Sequence, residues 1–366
     1  MASHVTFPLG THGKRGNMAG QLEFGVFDHL DRGSGTLAAI YEGRLRLLEA
    51  YDAAGFYAYH VAEHHSTPLG MAPSPAVFLA AASQRTRRLR LGTLVFALPL
   101  HHPLRIIEEI CMLDHLSGGR LDMGFGRGSS PIELEYFGQD PQETPKLYWE
   151  TLEVVLRGLR ERELSAQTSH HIIDNVPMEL APLQRPHPPL WYGVHSLESA
   201  ERAAKGNFNI ACNEPASDSS TYIARYWSAR RELDPDNTAG LKAGVTQFVV
   251  VAESDEVALA LARRAYLVWH NSFHALFKRH GRVAKISGGE ATFDELAARG
   301  KGVAGRPETV LAFLRQRLGA TGANYCINRF AFGDLTTEES LQSVELFKRH
   351  VMPALQAEVP RRWPAR

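Results

Sequence analysis

Residues 60–70, HVAEHHSTPLG, place three histidines and Glu63 within six positions. Imidazoles beside a carboxylate can hold a metal ion, or they can pass protons near neutral pH. Adjacent side chains of an extended segment point to opposite faces, so His64 and His65 cannot both reach one ion without a local bend. A metal site would also need a carboxylate or lysine from elsewhere in the chain. The spacing favours an acid–base reading with no metal, in which His64 faces a cavity and His65 packs structurally.

A second constellation is GVHSLESAERAAK, with His195, Ser196 and Ser199. Ser196 stands at the start of a helix with Ser199 one turn later. Free N–H groups and the helix dipole at such a start bind anions. Locally the same pattern is also an ordinary helix cap. The glycines of GFGRG, residues 124–128, lack the GxGxxG spacing of a dinucleotide loop, so they are read as letting backbone approach a ligand. Arg127 would bring a second positive charge to the same phosphate, or else form a surface ion pair.

Elements of regular period must carry these residues. Strand-like runs are predicted over 22–28, 56–62, 89–98, 120–126, 189–194, 208–212, 244–252 and 323–330. Helices are predicted over 36–55, 74–86, 103–119, near 141–162, about 197–205, 218–233, 255–279, 307–318 and 337–350. Strand–helix alternation implies parallel strands with crossover helices, and eight units close most economically into a (β/α)₈ TIM barrel. An open doubly wound sheet is the alternative, but the first strand–helix turn lacks its glycine fingerprint. Two stretches interrupt the pattern: 163–188, which could hold a β-hairpin, and 280–305, a loop-rich insertion. The expected organisation is an N-terminal arm over 1–20 and a single barrel domain over 21–366.

In such a barrel, chemistry gathers at the C-terminal strand ends, which decides the serine motif in favour of phosphate. The strand ends carry Asp28 and His29, then Glu63, His64 and His65, then His101 and His102, then Arg127, His195 with Ser196 and Ser199, and finally Asn328 and Arg329.

Whole-chain properties exclude several classes. Lys+Arg and Asp+Glu both total 40 in 366 residues, which offers no electrostatic grip on nucleic acid or an anionic membrane. Cys111, Cys212 and Cys326 are far apart and read as reduced thiols of a cytoplasmic protein. No segment has the apolar length to span a bilayer, and the first twenty residues lack a secretory apolar region.

Four segments together resemble the bacterial luciferase-like flavin monooxygenases: GFYAYHVAEHHSTPLG, LRLGTLVFALPLHHPLRIIEEICMLDHLSGGRLDMGFGRG, WYGVHSLESAERAAKG, and the tail from GRPETVLAFLRQRLG to VMPAL. They span most of 22–355 in the family's order. The resemblance implies a (β/α)₈ barrel binding reduced FMN at its C-terminal mouth. An NAD(P)H-dependent flavin reductase would supply the FMN, and a C4a-(hydro)peroxyflavin formed with O₂ would oxygenate a small-molecule substrate. It implies His64 as the catalytic histidine with Glu63 as a buried carboxylate beside it. It further implies Leu94 and Val95 at a strained, often cis, peptide against the flavin, Arg127 as a flavin contact, and His195, Ser196 and Ser199 as the phosphate loop. A homodimer is expected on the same ground. Bacterial luciferase has a cysteine where this chain has Gly126, and its aldehyde pocket is not recognisable here, so light emission is not expected. Members using deazaflavin F420 tend to carry a Trp/Asp/His pattern where this chain has AEHH, which favours FMN, although FDH at 27–29 keeps an F420-dependent oxidoreductase as the alternative. A non-catalytic flavin-binding barrel and a metal-dependent hydrolase stand behind these two. The pocket walls are expected from 28–35, 66–72, 129–137 and the 280–305 insertion, and STPLGMAPSP points to an apolar substrate.

Overall fold

The computed structural model describes residues 22–234, 238, 240–284 and 290–358, so the arm expected over 1–20 lies outside them. The eight expected strands are β1 (Glu23–Asp28), β2 (Ala58–Val61), β3 (Arg90–Thr93), β4 (Leu121–Gly126), β5 (Leu190–Gly193), β6 (Asn209–Cys212), β7 (Ala243–Val251) and β8 (Tyr325–Arg329). Each pairs in parallel with the next, and β8 pairs with β1 through Glu23 opposite Tyr325, which closes the ring. The fold is a (β/α)₈ barrel.

Helices connect the strands on the outside, and their ends follow ordinary capping chemistry. The first, Leu37–Ala54, begins where Thr36 Oγ1 accepts from Ala39 N–H and ends at Gly55 in the left-handed conformation. Leu47, Leu48 and Tyr51 on its inner face are at most 1% exposed and form part of the core between strands and helices. A separate core fills the barrel itself with Trp191, Tyr325, Ile327 and Ala211. Polar groups at this level pair with one another: Trp191 Nε1 donates to Asp122 (2.8 Å), Arg90 pairs with Asp122 (2.7 Å), and His60 Nε2 meets Tyr325 Oη (3.0 Å), while His60 Nδ1 is left without a partner among the described residues. The lower barrel is therefore a packed plug, and a cavity lies toward the C-terminal ends of the strands.

Two details differ from the sequence reading and one agrees with it. The predicted strand 89–98 breaks at the cis Leu94–Val95 peptide, and its continuation Phe96–Ala97 pairs with Phe125 and Gly126 of β4. Residues 163–188 do contain an antiparallel hairpin, Glu163–Gln167 with Ile172–Pro177. The 280–305 stretch is more ordered than a loop-rich insertion: it carries a helix, Phe293–Ala298, and a strand, Gly302–Gly305, paired in parallel with the outer half of β7. That strand occupies the edge of β7 beyond the reach of β6, whose pairing stops at Val245, so the backbone groups of the longer β7 find partners. No helix among the described residues is long and apolar enough to cross a membrane.

Candidate active site

A cavity of about 230 Å³ opens at the C-terminal mouth. Beyond β2 the neighbouring side chains of His64 and His65 part company. His64 lines the cavity, whereas His65 turns away and donates from Nε2 to Glu63 (2.8 Å), its ring edge against Phe137.

Glu63 is a structural hub. Its Oε1 meets His65 and His101 (2.9 Å), and its Oε2 accepts from Ala97 N–H (2.9 Å) just after the cis peptide. Burial by itself would raise its carboxyl, but the hydrogen bonds of His101, His65 and Ala97 hold it below the ordinary glutamate range. The same contact raises His101 against the opposing effect of its own burial. The segment containing Leu94 and Val95, both on the cavity wall, is thus tied to the loop that carries His64.

His64 has a different carboxylate. Its Nδ1 lies 3.1 Å from Glu133 Oε1, while Glu133 Oε2 accepts the His65 backbone N–H at 2.9 Å. Both side chains are about a tenth exposed. A carboxylate acceptor fixes the proton on Nδ1 and leaves Nε2, which has no partner among the described residues, for the cavity. Glu133 comes from the short helix Pro131–Tyr136, where Ser130 Oγ accepts from Glu133 N–H. Ser-x-x-Glu spacing signals a capping box, in which the glutamate would turn back on its own helix. Here it crosses to another loop instead, a destination that the spacing does not show.

His29 stacks on His64 with ring centroids 5.6 Å apart. Trp269 Nε1 can only donate, so His29 Nδ1, at 3.4 Å, is an unprotonated acceptor. Burial, then Arg329, then His64 push the His29 pKa well below 6.5 and keep the ring neutral. Phe273, Leu276 and Phe277 of the helix Asp255–Arg279 close the cavity with an apolar wall. The expected segments contribute His29, Thr67, Leu69, Ser129, Ser130 and Glu133, whereas the described residues of 280–305 contribute none.

The cavity wall also carries Arg329 at the end of β8, Asn213 just after β6 and Thr246 within β7. Arg329 is 5% exposed, with its Cζ over the rings of Phe27 and Phe248 at 4.8 and 4.6 Å. Burial, with Arg317 nearby, lowers its pKa to about 9. The sequence reading placed His29 and Arg329 at strand ends but singled out neither, nor Glu133 or Asn213.

The expected phosphate residues divide. His195 lines the cavity and pairs with Glu214 (2.5 Å). Ser196 and Ser199 form a capping box on the helix Leu197–Lys205. Ser199 Oγ accepts from the backbone of His195 and Ser196, so that hydroxyl is committed to its own turn. Neither serine lines the cavity, and Arg127 is exposed outside it. Gly126 packs directly on Val95: a Cβ there would stand 2.4 Å from Val95 Cγ2, so the position excludes any side chain while Val95 keeps its place. Among the described residues, no group of three or more His, Cys, Asp and Glu side chains is placed to hold a metal ion.

Comparison with known proteins gives a consistent result. Residues 22–331 match the family model described as luciferase-like monooxygenase. The 4-hydroxyprotoasukamycin monooxygenase of Streptomyces nodosus subsp. asukaensis is 30% identical over 322 residues, covering 84% of this chain and 85% of that one. The oxygenase component of the flavin-dependent trigonelline monooxygenase of Acinetobacter baylyi is 25% identical over 360 residues, covering 93% and 98%. The monooxygenase RslO1 of Streptomyces bottropensis superimposes with a TM-score of 0.80 at 27% identity, covering 91% of this chain and 100% of that one.

Proposed function

This chain belongs to the luciferase-like monooxygenase family, and from that premise we propose that it is the oxygenase of a two-component system. It would take reduced FMN from an NAD(P)H-dependent reductase and use O₂ to oxygenate a small, largely apolar organic substrate. The observation that carries this reading is the cavity itself, which brings a carboxylate-oriented histidine into the same space as the Leu94–Val95 segment and a buried, donor-rich arginine. The name of the trigonelline relative, an oxygenase component, supports a separate reductase.

The residues present fit a flavin. Leu94 and Val95 offer an apolar backbone wall for a planar ring, and Gly128 and Gly193 leave the rim free of side chains. The buried Arg329 Nε lacks a partner and suits the oxygen- and nitrogen-rich edge of a pyrimidine. His195 and the start of the helix Leu197–Lys205, where the Leu197 and Glu198 N–H groups open the helix, would meet the phosphate at the rim. Arg127, exposed nearby, would close on that phosphate from outside.

Reduced FMN, when bound, supplies the electrons that activate O₂. The protein's part is to exclude water with Phe273, Leu276 and Phe277 and to hold or accept a proton at His64 Nε2. Glu133 fixes the tautomer of His64. Glu63, with both oxygens engaged, positions the loops around it and is not free to carry a proton.

His64→Ala should keep FMN binding and lose most oxygenation, a fall of about 10²–10⁴ for a missing acid–base group. Ser196→Ala with Ser199→Ala should mainly weaken FMN, by loosening the capped helix start whose N–H groups would meet the phosphate. Normal turnover by the His64 variant ends the assignment. The presence of His29 on the cavity wall supports a second reading, hydride transfer with F420 on the same fold. Oxygen uptake with reduced FMN, and none with reduced F420, separates the two.

A further inference from the structure

Arg329 is a buried cation that the described residues leave without a counter-ion. Its hydrogen-bond and ring contacts are Asn213 Oδ1, accepting from Nη2 at 3.1 Å, and the faces of Phe27 and Phe248. Its Nε has no partner, and no carboxylate among the described residues pairs with it. The guanidinium lies over two aromatic rings and keeps Nε free for a ligand.

Asn213 reinforces this polarity. Arginine can only donate, so the asparagine atom facing it must be the carbonyl oxygen. That oxygen also accepts from Thr246 Oγ1 at 2.6 Å. The arginine fixes the amide orientation, the Thr246 hydroxyl conforms to it, and the Asn213 NH₂ group, on the cavity wall, has no acceptor among the described residues. The β6–β8 side of the cavity therefore presents N–H groups of Arg329 and Asn213 with their acceptors missing. A lone buried cation is costly, and the ring contacts offset only part of that cost.

We propose that Arg329 and Asn213 form a built site for a planar, delocalised anion, taken edge-on through an O–C–O or N–C–O unit. Guanidinium forks match such edges and discriminate against a point charge. The inference rests on the oxygenase reading for its two possible sources: the N–C–O edge of the anionic reduced flavin ring, or a carboxylate or enolate of the organic substrate.

Two full-length variants test it, with anaerobic titrations of reduced FMN and oxidised FMN and a titration of benzoate with and without FMN. Arg329→Met removes the charge at similar volume. Asn213→Asp supplies the missing counter-ion internally. If the flavin is the source, wild type prefers reduced over oxidised FMN, and both variants reduce that preference by about 10- to 100-fold, the loss of one charge-assisted hydrogen bond. If the substrate is the source, the flavin affinities hold and benzoate binding falls by the same factor. In the ligand-free state both variants should unfold at the same or higher urea concentration than wild type, because an unpaired buried charge has been removed or paired. A merely structural arginine would instead make Arg329→Met less stable. Should Arg329→Met fail to fold, Asn213→Asp alone decides. Wild type showing neither preference nor benzoate binding, or variants that keep both, overturns the proposal. Absence of all FMN binding with retained benzoate binding would instead reject the flavin reading and leave the anion site standing.

Discussion

Glu133→Gln is the sharpest probe of how His64 is held. The carboxylate accepts two hydrogen bonds, from His64 Nδ1 at 3.1 Å and from His65 N–H at 2.9 Å. Glutamine retains one acceptor and gains a donor. If its oxygen takes the His65 N–H, the amide NH₂ faces His64 Nδ1, which must then become an acceptor. The ring proton moves to Nε2, and the cavity receives an N–H where it had a lone pair. The reverse placement sets NH₂ against the His65 N–H, two donors in conflict. Stability should fall modestly, by about 1–3 kcal/mol, because one charge-assisted bond becomes a neutral one. Activity should fall by about 10²–10⁴ in single-turnover oxygenation, the usual contribution of a general acid–base group, with FMN affinity unchanged. Glu133→Ala removes both acceptors and should cost about 2–6 kcal/mol, from two buried donors at about 1–3 each. The decisive measurement is the double variant His64→Ala with Glu133→Gln. A residue that acts only through His64 adds no further loss once His64 is gone. Full additivity of the two activity losses, or wild-type turnover by Glu133→Gln, would refute the reasoning.

Other outcomes follow from the same geometry. Gly126→Ala would place a Cβ 2.4 Å from Val95 Cγ2, so the Leu94–Val95 segment must shift; overpacking of this kind costs about 1–3 kcal/mol, and FMN affinity should drop with it in an equilibrium titration. His60, fully buried against Tyr325, has its pKa lowered to about 4 by burial, with Arg90 adding to the effect and Asp122 opposing it. Below about pH 6.5 the unfolded chain takes up a proton that the folded chain refuses, so stability is lost as pH falls toward 4, by about 2 kcal/mol at pH 5. Urea unfolding at pH 7 and pH 5 should show this loss in wild type and a smaller one in His60→Gln; equal losses would remove His60 as the cause. Glu63→Gln should lower the thermal midpoint strongly, since the hub of His65, His101 and Ala97 loses its charge, and oxygen uptake per folded molecule should change less than in Glu133→Gln.

The local sequence determined much about this protein. Alternating strand and helix periods with Gly55 and Pro103 at helix boundaries dictated eight parallel strands and hence a closed barrel. The barrel in turn dictated which strand ends could carry chemistry. The opposite facing of His64 and His65 follows from neighbouring positions in an extended chain, and the structure places one on the cavity wall and the other against Glu63. Tertiary structure decided the partners. Glu133 lies 69 residues from His64, and Arg329 lies 116 residues from Asn213. Neither pair leaves a local signature, because a side chain's direction out of a short helix or a strand end is set by what packs around it. The same holds for the apolar wall: Phe273, Leu276 and Phe277 look like one stripe of a long amphipathic helix, and only the way that helix crosses the barrel mouth turns the stripe toward the cavity. Periodicity fixes an element and its faces, whereas the closing of the barrel fixes what each face meets.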